Sequence, residues 1–131
     1  MTASREPQIY QCTIAGAAVA DPMMQYNYRR GEPGTFSNAF GRQRATGVIP
    51  IDEVENINIP VLMIHGDVDQ RVPYDHYRKY KPAVEKANKK AEFLTLEKAD
   101  HFYNTLTYQH QYDLYESILE FLDEDCGPGG L

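Results

Sequence analysis

The sequence is short of several things. No apolar run in its 131 residues approaches the ~20 residues that a bilayer-spanning helix needs. No charged-then-apolar segment of the signal-peptide kind opens it. A membrane partner is therefore not expected, although neither absence says where a longer parent protein resides. Basic residues are outnumbered, 13 Lys and Arg against 19 Asp and Glu, for a formal net charge of -6. That balance argues against a phosphate-binding surface, and so against a nucleic-acid partner. The basic cluster from Lys79 to Lys90 reads as one solvated helix face. Only two cysteines occur, Cys12 in an apolar stretch and Cys126 in a Gly/Pro tail. They show neither metal-ligand spacing nor a disulfide framework, and both are expected as free thiols. Serine is scarce too: Ser4, Ser37 and Ser117 are all there are, and none sits in Gly-x-Ser-x-Gly. Internal repeats and low-complexity tracts are absent.

What is present is an ordinary globular composition, 42% hydrophobic and 24% charged, at a length that bounds the chain to one domain. Ile9 to Ala18 reads as a first strand. A polar, irregular stretch from Asp21 to Gly47 follows, expected as a long loop with one short helix. A turn-rich segment through Pro50 to Asn58 leads into Ile59-Pro60-Val61-Leu62-Met63-Ile64, dense in aliphatic residues and read as the second strand. Apolar positions Tyr77, Tyr80, Val84 and Ala87 have helical spacing within Tyr74 to Lys90, although Pro82 is expected to kink or split that helix. Ala91-Glu92-Phe93-Leu94-Thr95-Leu96 is the third strand. Tyr108, Tyr112, Tyr115, Ile118, Leu119 and Leu122 then recur every three or four residues, the pattern of a buried stripe on a closing helix. Residues 123–131 read as a flexible tail. Strands alternating with helices imply parallel pairing, hence an α/β fold with a three-stranded parallel sheet and flanking helices.

Chemistry concentrates after the second and third strands. His65-Gly66-Asp67-Val68-Asp69-Gln70-Arg71-Val72-Pro73 follows one, and Ala99-Asp100-His101-Phe102 the other. In a parallel sheet both loops leave at the same carboxyl edge, where open α/β folds place their sites. A carboxylate there can fix the tautomer of an imidazole and stabilise it once protonated. Asp69 is the candidate acid, with Asp67 its rival, and His101 is the candidate general base. His65, ending a buried strand, reads as a packed core residue. A metal site on His65, Asp67 and Asp69 lacks a third ligand motif, and no cofactor is called for. His76 and His110 are expected on the surface. Most of the ten tyrosines read as core and rim packing, whereas Tyr26, Tyr28, Arg29 and Arg30 are candidates for substrate contact.

These words, together with Tyr10-Gln11-Cys12-Thr13-Ile14-Ala15-Gly16-Ala17 and Pro60-Val61-Leu62-Met63-Ile64-His65-Gly66, resemble the end of the catalytic domain of the prolyl oligopeptidase family, serine peptidases with an α/β-hydrolase fold. The resemblance implies a partial α/β-hydrolase fold over residues 1–131. It implies that Asp69, in the Asp-x-x-Val-Pro word, and His101, before the last helix, are triad members. It also implies that the nucleophile elbow, the oxyanion-hole strands and a propeller belong to sequence ahead of Met1. The chain is then expected to be inactive alone, with peptides as substrates of the complete parent enzyme. Two alternatives stand beside this: another α/β-hydrolase such as an esterase, or a non-catalytic domain that self-associates. A homo-oligomer is expected in any case, through the open edge of the first strand around Tyr10 to Val19.

Overall fold

The computed structural model describes residues 2–29, 46–87, 90–101 and 105–127. Three strands, β1 (Thr13–Gly16), β2 (Val61–Gly66) and β3 (Ala91–Leu96), form one parallel sheet in the order β1-β2-β3. Thr13 lies opposite Val61, Val61 opposite Ala91, and Gly66 opposite Leu96. Four α-helices accompany them: α1 (Thr2–Arg5), α2 (Pro22–Arg29), α3 (Asp75–Ala87) and α4 (Tyr108–Glu124). Two 3-10 segments, Pro7–Ile9 and Pro50–Asn56, complete the described elements. Among the described residues no helix is long and apolar enough to cross a membrane.

The central strand explains the layering. Every residue of β2 is buried, as its unbroken apolar run demands of a strand covered on both faces. Val61 and Met63 point to one face, packing with Val54 of the second 3-10 segment, with Ile57 just past it, and with Tyr77, Tyr80 and Val84 of α3. Leu62 and Ile64 point to the other, packing with Leu96, Ala99 and Phe121 under α4. The fold is thus the α/β sheet with flanking helices that the sequence pattern implied, and β3 has the expected bounds.

Several expectations need correction. The first strand is much shorter than Ile9 to Ala18, because Pro7–Ile9 forms a 3-10 turn and Ala17 takes a left-handed φ of 47° that ends the extended backbone. Pro82 does not split α3, which runs through it; the proline is on the exposed face, where the Arg78 carbonyl it deprives of a donor can reach water. The stripe expected to be buried on the last helix is largely exposed, with Tyr108 at 81% and Tyr115 at 64%. Ile118 and Leu122 of that stripe do turn to the core, where they are joined by Leu114 and Phe121, which it did not include. Residues 123–126 are not a flexible tail: α4 continues to Glu124, the Asp125 and Cys126 amides both bond the Phe121 carbonyl, and Cys126 is buried. Residues 128–131 lie outside the described part, as do 30–45 of the expected long loop.

The cysteines are not free thiols. Cys12, at the entry to β1, and Cys126, past the end of α4, form a disulfide across a sequence separation of 114, with Cα atoms 5.2 Å apart. Their remoteness in sequence hid the pairing, since no local spacing announces a bridge that the sheet and last helix bring together.

Candidate active site

The loop after β2 and the loop after β3 are stitched to each other before any side chain of chemical interest is placed. Gly66 is the seam: a Cβ there would sit 2.2 Å from the Ala99 carbonyl oxygen, so only glycine permits the contact. Next to it the Asp67 amide donates to the Leu96 carbonyl at 3.2 Å and the Val68 amide to the Ala99 carbonyl at 3.3 Å. The Asp67 carboxylate accepts the amide of Lys98, whose φ of 59° turns the second loop back toward the first. Asp67, the rival acid, is therefore occupied in shaping the turn that leads to His101.

Asp69 meets His101. The His101 Nδ1 lies 2.8 Å from Asp69 Oδ2, and because an ionised carboxylate can only accept, that nitrogen carries the proton. The other carboxylate oxygen, Oδ1, accepts the amides of Arg71 at 2.7 Å and Val72 at 2.9 Å. Asp69 is sealed, its side chain 1% exposed, whereas the His101 side chain is 32% exposed. The Nδ1 edge of the ring thus faces a buried carboxylate, while about a third of the side chain reaches solvent.

His65 supports the loop from beneath, as its reading as a core residue implied. Its Nε2 donates to the Val72 carbonyl at 2.8 Å and approaches Asp69 Oδ2 to 3.5 Å. Burial holds its pKa below the ordinary 6.5, outweighing the nearby Asp69 charge, and favours the neutral ring. His101 is then the ring that makes the short contact with Asp69 Oδ2, at 2.8 Å against 3.5 Å for His65.

Two histidines expected on the surface are placed otherwise. His76 is fully buried on α3, where Nε2 donates to Gln25 Oε1 at 2.9 Å. His110 is half-buried and caps α4: Thr107 Oγ1 accepts the His110 amide and His110 Nδ1 accepts the Thr107 amide. Gln25 was missed by sequence reasoning altogether. Its amide nitrogen donates to the Arg71 carbonyl at 2.6 Å, so a line runs from His76 through Gln25 to the loop that holds Asp69. An isolated glutamine on a short helix carries no sequence signal for such a role. Asp21 fixes that helix, capping the Met23 and Met24 amides and pairing with Lys79 at 2.8 Å.

A cleft of about 530 Å³ opens over the exposed edge of His101, lined also by Arg29, Val68, Gln70, Arg71 and Thr105. Of the four residues singled out for substrate contact, Arg29 reaches this cleft, Tyr28 is exposed at the end of α2, Tyr26 is half-buried, and Arg30 lies outside the described residues. Among the described residues no serine lines it: Ser4 is buried against Glu53 on α1, Ser117 lies on α4, and Ser37 is outside the described part. Among the described residues, too, no group of three or more His, Cys, Asp or Glu is placed to hold a metal ion.

The sequence matches the model of the prolyl oligopeptidase family over residues 1–129. No curated protein matches it. Solved structures with a similar fold include an acylaminoacyl peptidase of Pyrococcus horikoshii, 15% identical with a TM-score of 0.73 over 94% of this chain and 21% of that one. A puromycin-hydrolysing peptidase of Mycobacterium tuberculosis is 18% identical with a TM-score of 0.72, over 95% and 20%. The esterase Est1E of Butyrivibrio proteoclasticus, solved with ferulic acid bound, is 22% identical with a TM-score of 0.66, over 92% and 53%. The chain thus spans about a fifth of the length of the peptidases it matches.

Proposed function

Because this chain belongs to the prolyl oligopeptidase family, we propose that it is the acid-and-base portion of a serine peptidase's catalytic domain, with Asp69 and His101 as two members of a Ser-His-Asp triad. The observation that carries the reading is the 2.8 Å contact between His101 Nδ1 and a carboxylate whose second oxygen is locked by two amides. That arrangement suits a general base. Nε2 takes the proton from a serine hydroxyl as its oxygen attacks an acyl carbonyl, and Asp69 stabilises the imidazolium. The same nitrogen then returns the proton to the leaving amine, freeing the acyl-enzyme for attack by water, which repeats the cycle. The serine comes from outside these 131 residues in this reading, since none of their three serines sits in Gly-x-Ser-x-Gly. By itself the chain then turns over no acyl ester.

Amide bonds of short or N-acylated peptides are the proposed substrates. Two of the similar structures, an acylaminoacyl peptidase and a puromycin-hydrolysing peptidase, support that choice, and the family does so more broadly. Ester hydrolysis is the second reading, favoured by the likeness to Est1E and by a base that serves either leaving group.

The test is a graft. Residues 1–131 replace the matching segment of the Pyrococcus horikoshii acylaminoacyl peptidase, and hydrolysis of peptide amides and matched esters is compared. Amide hydrolysis is expected, falling by about 10⁴-fold on Asp69→Asn and by about 10⁶-fold on His101→Ala. A folded graft that cleaves amides undiminished by Asp69→Asn would sink the assignment, and one that cleaves only esters selects the second reading.

A further inference from the structure

Helix α4 has two apolar faces, and only one is used. Leu114, Ile118 and Phe121 pack on the sheet. On the other side Tyr108, Tyr112, Tyr115 and Leu119 follow one another at intervals of four, three and four, the spacing of a coiled-coil seam. All four are exposed, between 51% and 81%, along a groove of about 440 Å³ edged by Glu116 and Glu120. Single exposed aromatics are unremarkable, but a seam three turns long is a surface shaped for another helix.

The charges on the helix select which one. Its first turn carries no acid and its last turn no base. Asp113, Glu116, Glu120, Asp123 and Glu124 fill the C-terminal part, while residues 108–112 hold only tyrosine, glutamine and His110. Each end therefore lacks the charge its macrodipole favours, and the C-terminal end carries the opposite one. A parallel copy would set acid against acid. An antiparallel copy sets the acidic end beside the acid-free, dipole-positive end, twice.

We infer that the outer seam of α4 is a self-association surface, on which a second copy of this chain docks its own α4 antiparallel about a two-fold axis. Tyr112 then faces Tyr115 of the second copy and Tyr108 faces its Leu119. Gln109, on the flank shared with Glu116 and Glu120, falls between those two acids of the second copy. The contact is isologous and closed, so it stops at two chains. In this proposal it takes the place of the β1 edge, the site at which the sequence raised the expectation of an oligomer. Four side chains on each partner make a small interface, which places the dissociation constant on the order of 10 µM.

Sedimentation equilibrium of the 131-residue chain up to roughly 200 µM, well above that constant, tests this. A reversible dimer is expected. Tyr115→Glu with Leu119→Glu should render it monomeric without altering the far-ultraviolet circular dichroism. Gln109→Lys should tighten the dimer about threefold at low salt and Gln109→Glu weaken it by a similar factor. A monomeric wild type, or a dimer that survives the double glutamate variant, overturns the proposal. Indifference to charge at Gln109 overturns the antiparallel arrangement.

Discussion

Asp69 and His101 are 32 residues apart in sequence and 2.8 Å apart in space, one sealed from solvent and the other a third exposed. The difference in exposure is what the base proposed for His101 requires. A carboxylate stripped of water is a strong, fixed partner for Nδ1, and an imidazole half in the cleft can still exchange a proton. Backbone contributes directly: two amides orient Asp69, and a glycine lets the His101 loop rest on the strand end.

Gly66→Ala should therefore disturb the site without touching either residue. The new methyl would meet the Ala99 carbonyl at 2.2 Å, too close to be absorbed by a side-chain rotation. Loss of about 1–3 kcal/mol of stability is expected from urea unfolding, with nuclear Overhauser contacts between the His101 and Asp69 loops weakened. Wild-type stability with those contacts intact would show that the loops are held by something else.

The sequence was most legible where one strand dictates everything. The run from Val61 to Ile64 can only be a doubly covered strand, β3 announces itself by its own apolar residues, and the two loops that follow must share an edge. Legibility failed where long-range packing chooses between equivalent local patterns. Spacings of three and four on α4 are satisfied by Tyr108, Tyr112, Tyr115 and Leu119 as well as by Leu114, Ile118 and Phe121, and only the sheet decides which set is buried. The pairing of Cys12 with Cys126 and the span from His76 through Gln25 to the Arg71 carbonyl likewise join segments whose local sequences carry no trace of each other.

Acid should destabilise the fold through two histidines. Burial is the leading cause that lowers the pKa of both His65 and His76 from 6.5, so the unfolded chain binds protons that the folded chain refuses. Their contribution is complete above about pH 7 and is lost as pH falls below the ordinary histidine value toward the lowered ones. Urea midpoints measured from about pH 8 down to pH 5 should fall, and His76→Gln should flatten part of that slope while keeping a donor for Gln25. An unchanged slope in the variant would contradict the sign assigned to His76.

Reduction should cost more than any single contact. Closing a loop of this length removes roughly 5 kcal/mol of conformational freedom from the unfolded chain, on the entropic account of disulfide stabilisation. The double variant Cys12→Ser, Cys126→Ser and the reduced wild type should share the same lowered urea midpoint. Two titratable thiols in the denatured, unreduced chain would show that the bridge does not form.

The central claim, that Asp69 holds His101 ready to accept a proton at Nε2, is tested most directly by the imidazole tautomers. Long-range proton–nitrogen correlation spectra of the uniformly nitrogen-15-labelled chain, recorded at alkaline pH where the rings are neutral, distinguish a protonated ring nitrogen from a bare one. The account requires His101 to be protonated at Nδ1 and bare at Nε2, and His65, which donates to the Val72 carbonyl, to be the reverse. Asp69→Ala should release His101 from that tautomer. A wild-type His101 protonated at Nε2, or one whose tautomer is indifferent to the loss of Asp69, would contradict it.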